Sequence, residues 1–239
     1  MTTNTETTEA KPPPKLELVT PSEDVNINVL LYGPPKTGKT IGACSAAKPL
    51  LHVNADRPNA TRLAHDMYEF DEVRFKGLDT MIAVMAALDE GHYRTVVLDT
   101  LGEMYRVLLE DLSGRALRPK IQQYGDTGTH LERFCRALCD KPVNVVLVCH
   151  EIGLEDEEAG LIERVPYTGT KNPILGEKLM AVVDVVGYTG VVREGDDVSY
   201  IAQLFSGGGR KGGSRWPQLG RARELNLEEW ETTIRKGAA

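Results

Sequence analysis

Residues 33–40 read Gly33-Pro34-Pro35-Lys36-Thr37-Gly38-Lys39-Thr40, a complete G-x-x-x-x-G-K-[ST] spacing. Glycines at both ends let the backbone turn tightly enough for successive N–H groups to face one concavity, with a helix N-terminus behind it, an arrangement that attracts phosphate oxygens. Lys39 is spaced to reach the β/γ-phosphates of a nucleoside triphosphate, and the Thr40 hydroxyl to ligate Mg²⁺. Ile41 closes the set of residues expected against the nucleotide. The chemistry therefore reads as triphosphate binding, with ATP and Mg²⁺ as the expected cofactors. A Gly/Pro-rich turn without a ligand is the alternative, and the flanking sequence argues against it. The short apolar run 27–32 leads into the turn, and Ile41-Gly42-Ala43-Cys44-Ser45-Ala46-Ala47 follows as a small-residue helix suited to close packing on a sheet.

A second carboxylate is expected opposite the loop. Thr95-Val96-Val97-Leu98-Asp99 is an apolar strand ending in an acid, which places Asp99 at the carboxyl edge of a parallel sheet, where ligands bind. There it can hold the hydration shell of the metal. It can equally cap the helix that starts near Leu101. Hydrolysis also needs a group that orients the attacking water. Asp56, just past the strand 50–54, is the first choice, with helix capping ahead of Pro58 as its other role; Glu103 and Glu151 are weaker candidates. His150, ending the strand 143–149, is placed to sense the γ-phosphate, or stands there as an ordinary strand-end histidine.

The elements that must position these groups alternate. Strands are expected at 27–32, 50–54, 72–75, 95–99 and 143–149, and helices at 58–68, 78–88, 101–112 and 129–139. Residues 151–170 read as a hairpin or excursion with acids at 155–158. Two β-rich segments, 182–192 and 198–205, flank a turn at 195–197, and a helix over 227–236 closes the chain. Residues 1–25, with Lys11-Pro12-Pro13-Pro14-Lys15 and one possible strand at 16–19, read as a flexible N-terminal tail. The expected division is tail 1–25, core 26–225 and C-terminal helix 226–239. The fold class is α/β, a mostly parallel sheet with helices on both faces and an antiparallel C-terminal extension.

The chain has 239 residues, 41% of them hydrophobic, enough for one substantial core. No apolar run reaches membrane-span length and no secretory signal opens the sequence, so a cytoplasmic protein with no membrane partner is expected. Four cysteines (Cys44, Cys135, Cys139, Cys149) lie inside predicted elements and read as reduced core thiols rather than a metal site. A net charge of −7 argues against coating nucleic acid by bulk attraction. Two acid-free basic stretches stand apart from that average: Arg115, Arg118 and Lys120 within 112–125, and Arg210, Lys211, Arg215, Arg221 and Arg223 within 206–223.

The phosphate loop, the strand ending in Asp99-Thr100 and the run Val145-Val146-Leu147-Val148-Cys149-His150-Glu151 together resemble the RecA-like P-loop NTPase core. The resemblance is strongest to compact phage ATPases of the AAA-domain or Sak-type single-strand annealing kind, over about residues 25–223. It implies ATP-dependent handling of single-stranded DNA in phage recombination or replication, a host-cytoplasmic location, and a single-strand binding protein as companion. It also implies a homo-oligomer with ATP at subunit interfaces, each completed by a basic residue from the neighbour. Lys211 or Arg215 matches that trans position, where a cation would neutralise the γ-phosphoryl group in the transition state. Three features depart from the family: Asp56 where Glu is usual, acids at 155–158 where a DNA-contacting loop is expected, and no aromatic-x-x-Ala tether in 1–25. The DNA contacts expected instead are Arg115, Arg118, Lys120 and Tyr124, basic groups for the backbone and one ring for a base; an ordinary exposed connection fits the same residues.

An AAA+-type remodelling motor is the main alternative. Thr100 stands where such motors carry a glutamate base, and the last third reads β-rich where they carry a helical lid. A DNA-binding accessory protein using ATP only as an assembly switch is the alternative from another class, and a small-molecule kinase follows at a distance.

Overall fold

The computed structural model describes residues 26–156, 161–195 and 197–238. Along the chain come β1 (Asn28–Gly33), α1 (Lys39–Cys44), β2 (Leu50–Asn54), α2 (Arg62–Met67), β3 (Asp71–Arg74), α3 (Leu78–Asp89), β4 (Thr95–Asp99), α4 (Leu101–Leu112) and α5 (Ile121–Cys139). Then follow β5 (Asn144–Asp156), β6 (Leu161–Tyr167), α6 (Ile174–Val182), β7 (Val185–Glu194), β8 (Asp197–Gln203), β9 (Gly213–Ser214), β10 (Ala222–Glu224) and α7 (Leu227–Ala238).

Among the described residues the strands form one ten-stranded sheet in the order β10-β8-β7-β1-β5-β4-β2-β3, with β6 on β5 and β9 on β7. Every neighbour pair from β7 to β3 is parallel, whereas β8 returns antiparallel to β7 and β10 antiparallel to β8. The sequence explains this split. The central strands are apolar on both faces, as strands covered on both sides must be. Leu30 and Tyr32 of β1, Leu98 of β4 and Leu147 of β5 enter a core under α3, α4, α5 and α6. Val29 and Leu31 of β1, Val97 of β4 and Val146 of β5 enter a second core under α1 and α7. Trp230 of α7, 1% exposed, anchors that second core and donates from Nε1 to the Glu224 carbonyl at 2.8 Å.

The topology creates the crevice. β1 leads through α1 to β2, which lies beyond β5 and β4, while the strand on its other side, β7, arrives much later in the chain. A crevice opens beyond the carboxyl ends of strands where the order reverses in this way. β5 lies between β1 and β4 as far as Val148, stays beside β1 to His150, and from there pairs antiparallel with β6.

Several elements differ from sequence expectation. The helix expected over 58–68 shortens to α2, because Asn59 takes a left-handed φ of 67° and turns the chain first. α5 begins at Ile121, eight residues before the expected start at 129. The Lys120 amide donates to Gln123 Oε1 at 2.6 Å and starts the helix, while Gly125 and Gly128 hide it from a propensity reading. α6 was not anticipated; the Asn172 side chain accepts from the Ile174 amide at 3.0 Å and initiates it just after Pro173. The expected strand at 16–19 and the acidic positions 157 and 158 lie outside the described residues.

Candidate functional site

The turn after β1 is fixed by contacts from the antiparallel side of the sheet. Gly33 has φ +151°, and a Cβ there would lie 2.6 Å from the Thr189 hydroxyl of β7. The hydroxyls of Thr37 and Thr189 meet at 2.6 Å, and Thr37 also donates to the Pro34 carbonyl at 2.9 Å. Gly38 is left-handed at φ +77°, and a Cβ on it would lie 2.7 Å from the Tyr200 ring of β8. Both motif glycines are therefore required by backbone conformation and by close approach. Lys36 is also left-handed, at φ 66°, on the exposed lip with Pro35.

Lys39 is 6% exposed. Its ammonium curls into the turn, donating to the Gly33 carbonyl at 3.0 Å and the Pro34 carbonyl at 2.5 Å. Burial lowers its pKa, and the negative charge of Asp99 opposes that shift. Beside it, the Thr40 hydroxyl donates to Asp99 Oδ2 at 2.6 Å. The Asp99 carboxylate thus bonds α1, and the N-cap of α4, Thr100, makes no side-chain cap. A hydroxyl and a carboxylate are hard oxygen donors and fit Mg²⁺. Among the described residues no group of three or more His, Cys, Asp or Glu gathers to hold a metal, so a cation here would keep most of its waters.

A cleft of about 490 Å³ joins these groups, lined by Lys39, Thr40, Ile41, Asp56, Asp99 and His150 and, away from the motif, by Arg57, Ala60, Leu63 and Tyr200. Asp56 Oδ1 accepts from the Arg57 amide at 2.7 Å, so it shapes its own turn as well as facing the cleft. His150 stands level with Gly33 in the sheet register. Burial lowers its pKa and the Lys39 charge adds to that, against Asp99, Asp56 and Glu103. The other carboxylates considered lie elsewhere. Glu103 pairs with Arg106 at 2.8 Å, and Glu151 pairs with Arg164 at 3.6 Å and bonds Tyr188.

Sequence reading missed several groups. His52 of β2 is fully buried with Nε2 at 3.5 Å from Asp99 Oδ2, too poorly aligned for a hydrogen bond. Its signal was a polar residue inside the apolar run Leu50-Leu51-His52-Val53. Thr189 and Tyr200 lie far along the chain and reach the loop only through sheet pairing, so no local signal marks them.

Lys211 and Arg215 lie outside the cleft of their own chain. Lys211 Nζ meets Glu177 at 3.0 Å and Glu163 at 3.3 Å, and its backbone N–H donates to the Tyr32 hydroxyl at 2.8 Å. Arg215 pairs with Asp184 at 3.1 Å beside the start of β7, the end of the sheet opposite the phosphate loop. Arg115, Arg118 and Lys120 are exposed on the α4–α5 connection, while Tyr124 falls in the first turns of α5. All four cysteines are free thiols, and burial pushes Cys44 and Cys139 up to about 12. No helix among the described residues is long and apolar enough to cross a membrane.

A family model described as an AAA domain matches residues 25–221. The chain belongs to that family. This AAA domain is thereby a P-loop ATPase-type protein. Solved structures similar to the AAA domain include a KaiC-like protein from Pyrococcus horikoshii OT3, with 13% identity and a TM-score of 0.45 over 74% of this chain and 77% of that one. Flagellar accessory protein FlaH from Methanocaldococcus jannaschii is also similar, with 10% identity and a TM-score of 0.39 over 78% and 79%. No curated protein matches this AAA domain. Its last third holds β6, α6, the strands β7 to β10, a short 3-10 turn at Pro217–Leu219 and the closing helix α7.

Proposed function

We propose that the chain binds ATP with Mg²⁺ in the cleft between the phosphate loop and Asp99 and hydrolyses it. One observation carries this: the Thr40 hydroxyl and Asp99 carboxylate meet at 2.6 Å within the cleft that Lys39 also lines. Backbone N–H groups from Lys36 to Ile41 would hold the phosphates, Pro34 and Pro35 having none to give, and Lys39 would exchange its two carbonyl contacts for phosphate oxygens, a stronger charge-assisted bond. Thr40 and Asp99 would hold Mg²⁺, which neutralises charge on the β- and γ-oxygens. Asp56 is the carboxylate placed to orient the attacking water, and His150 is placed to sense the terminal phosphate by donating a ring N–H to one of its oxygens.

The substrate reading is single-stranded DNA, handled in annealing or strand exchange by an oligomer, as the likeness to phage RecA-like annealing proteins implies. Supporting it, Arg115, Arg118 and Lys120 point to solvent beside Leu117, which is 99% exposed, and Ile121, 91% exposed. Cations with outward apolar groups suit a strand's phosphates and bases. Lys211 or Arg215 would complete a neighbour's site. ATP as an assembly switch is the second reading. It is favoured by a base-poor cleft, in which Asp56 already accepts from Arg57 and both glutamate candidates are engaged elsewhere.

An ATPase assay with and without single-stranded DNA, with mass measurement of the assembly, tests these readings. DNA-stimulated turnover that Lys39→Ala abolishes and Arg115→Ala/Arg118→Ala/Lys120→Ala blunts is the expected result. Intact ATP-dependent DNA binding without turnover would select the switch.

A further inference from the structure

We infer that the Tyr200 ring is the platform on which the base of the bound nucleotide stacks. This rests on the nucleotide reading of the cleft and extends it to a residue outside every motif. Thr40 and Asp99 mark the metal end, on the β4 side of β1. In the sheet order β8-β7-β1-β5-β4, Tyr200 of β8 lies on the opposite side of β1 from Asp99. A triphosphate whose tail is held by Lys39 and whose metal faces Asp99 must send its nucleoside away from β4, toward β7 and β8.

Tyr200 is placed on the correct face. Ala202 of β8 pairs with Thr189 of β7, which touches the phosphate loop, and one pleat further Tyr200 pairs with Val191. Cross-strand partners share a face, and residues two apart share it too. The Tyr200 ring therefore stands beside the loop, close enough to Gly38 that no side chain fits there. Tyr200 is 37% exposed as a residue and lines the cleft. Val191, 39% exposed, and Val198, 50% exposed, extend that face outward as apolar positions, with the exposed Arg193 opposite Val198. A part-exposed aromatic residue with apolar neighbours offers a base stacking and removal from water, which small polar groups would not.

Equilibrium binding of ATP and of inorganic tripolyphosphate to the full chain, both with Mg²⁺, separates this inference from its foundation. Wild type is expected to bind ATP more tightly than tripolyphosphate. Tyr200→Leu, which keeps an apolar neighbour for Gly38, is expected to lose about tenfold in ATP affinity with tripolyphosphate binding unchanged, and Tyr200→Phe to bind both like wild type. Equal loss of both ligands in Tyr200→Leu would make the ring a packing support for the loop and overturn the platform. So would wild-type ATP binding by Tyr200→Leu, or equal affinity of the native chain for the two ligands, a comparison that needs no variant. Failure of the native chain to bind either ligand would instead remove the nucleotide reading, and the platform with it.

Discussion

The phosphate loop at 33–40 and the loop at 206–215 are both rich in glycine and cations, yet the fold treats their cations in opposite ways. Lys39 is buried with its ammonium on backbone carbonyls, and among the described residues it has no salt-bridge partner. Lys211 already sits between Glu163 and Glu177, Arg215 on Asp184, and Arg210 over the Tyr188 ring at 4.7 Å. A charge kept from carboxylates has only its carbonyl hydrogen bonds to exchange when an anionic ligand arrives. A charge already paired must exchange its partner, which suits a residue that acts only when a second subunit arrives, and equally suits one that merely ties loops together.

Four substitutions break or sharpen that contrast. Lys39→Ala has the largest expected effect, a loss of turnover of about 10²–10³-fold with weakened nucleotide binding, read by steady-state kinetics and titration. Native-like turnover would dissolve the distinction between the loops. Asp99→Asn keeps the Thr40 contact geometrically possible but removes the charge; Mg²⁺-dependent ATP binding should fall about 10–100-fold, with less change in metal-free binding. Wild-type kinetics would take Asp99 out of the site. Arg215→Ala should lower turnover of the assembly about tenfold, less than loss of a sole arginine finger, Lys211 being the other candidate for that position. Nucleotide binding by isolated subunits should be unchanged, and equal loss in both measurements would give Arg215 a structural or cis role.

The smallest effect concerns acid. The folded-state pKa of His150 lies below the ordinary value of 6.5. As pH falls through 6.5 the unfolded chain therefore takes up a proton before the folded one does, and stability present above that pH is progressively lost. His150→Gln should flatten this dependence between pH 7 and pH 5 in denaturant titrations. An unchanged slope would show that the imidazole is not held neutral by its surroundings.

Legibility from sequence follows the same divide. β1, β4 and the helix α4 were readable because apolar runs and helical spacing are local, and Asp99 was readable because it ends such a run. The eight-residue loop motif carries its own geometry. The α5 start was not readable, since a cap between Lys120 and Gln123 outweighed two helix-weakening glycines. Thr189 and Tyr200 could not be found either, because sheet pairing across 152 residues from Thr37 to Thr189 brings them to the loop. Where Lys211 and Arg215 rest was equally hidden, being set by acids on β6, α6 and the segment before β7.

The central claim is that the Lys39 ammonium and the Asp99 carboxylate hold one magnesium–triphosphate between them. Calorimetric titration of a non-hydrolysable ATP analogue, with Mg²⁺ and with chelator, into native chain, Lys39→Ala and Asp99→Asn tests it most directly. The account predicts one site per chain, Mg²⁺-dependent affinity in the native chain, and loss of that dependence in Asp99→Asn. Binding that ignores Mg²⁺ and both substitutions, or no binding by a folded native chain, would contradict it.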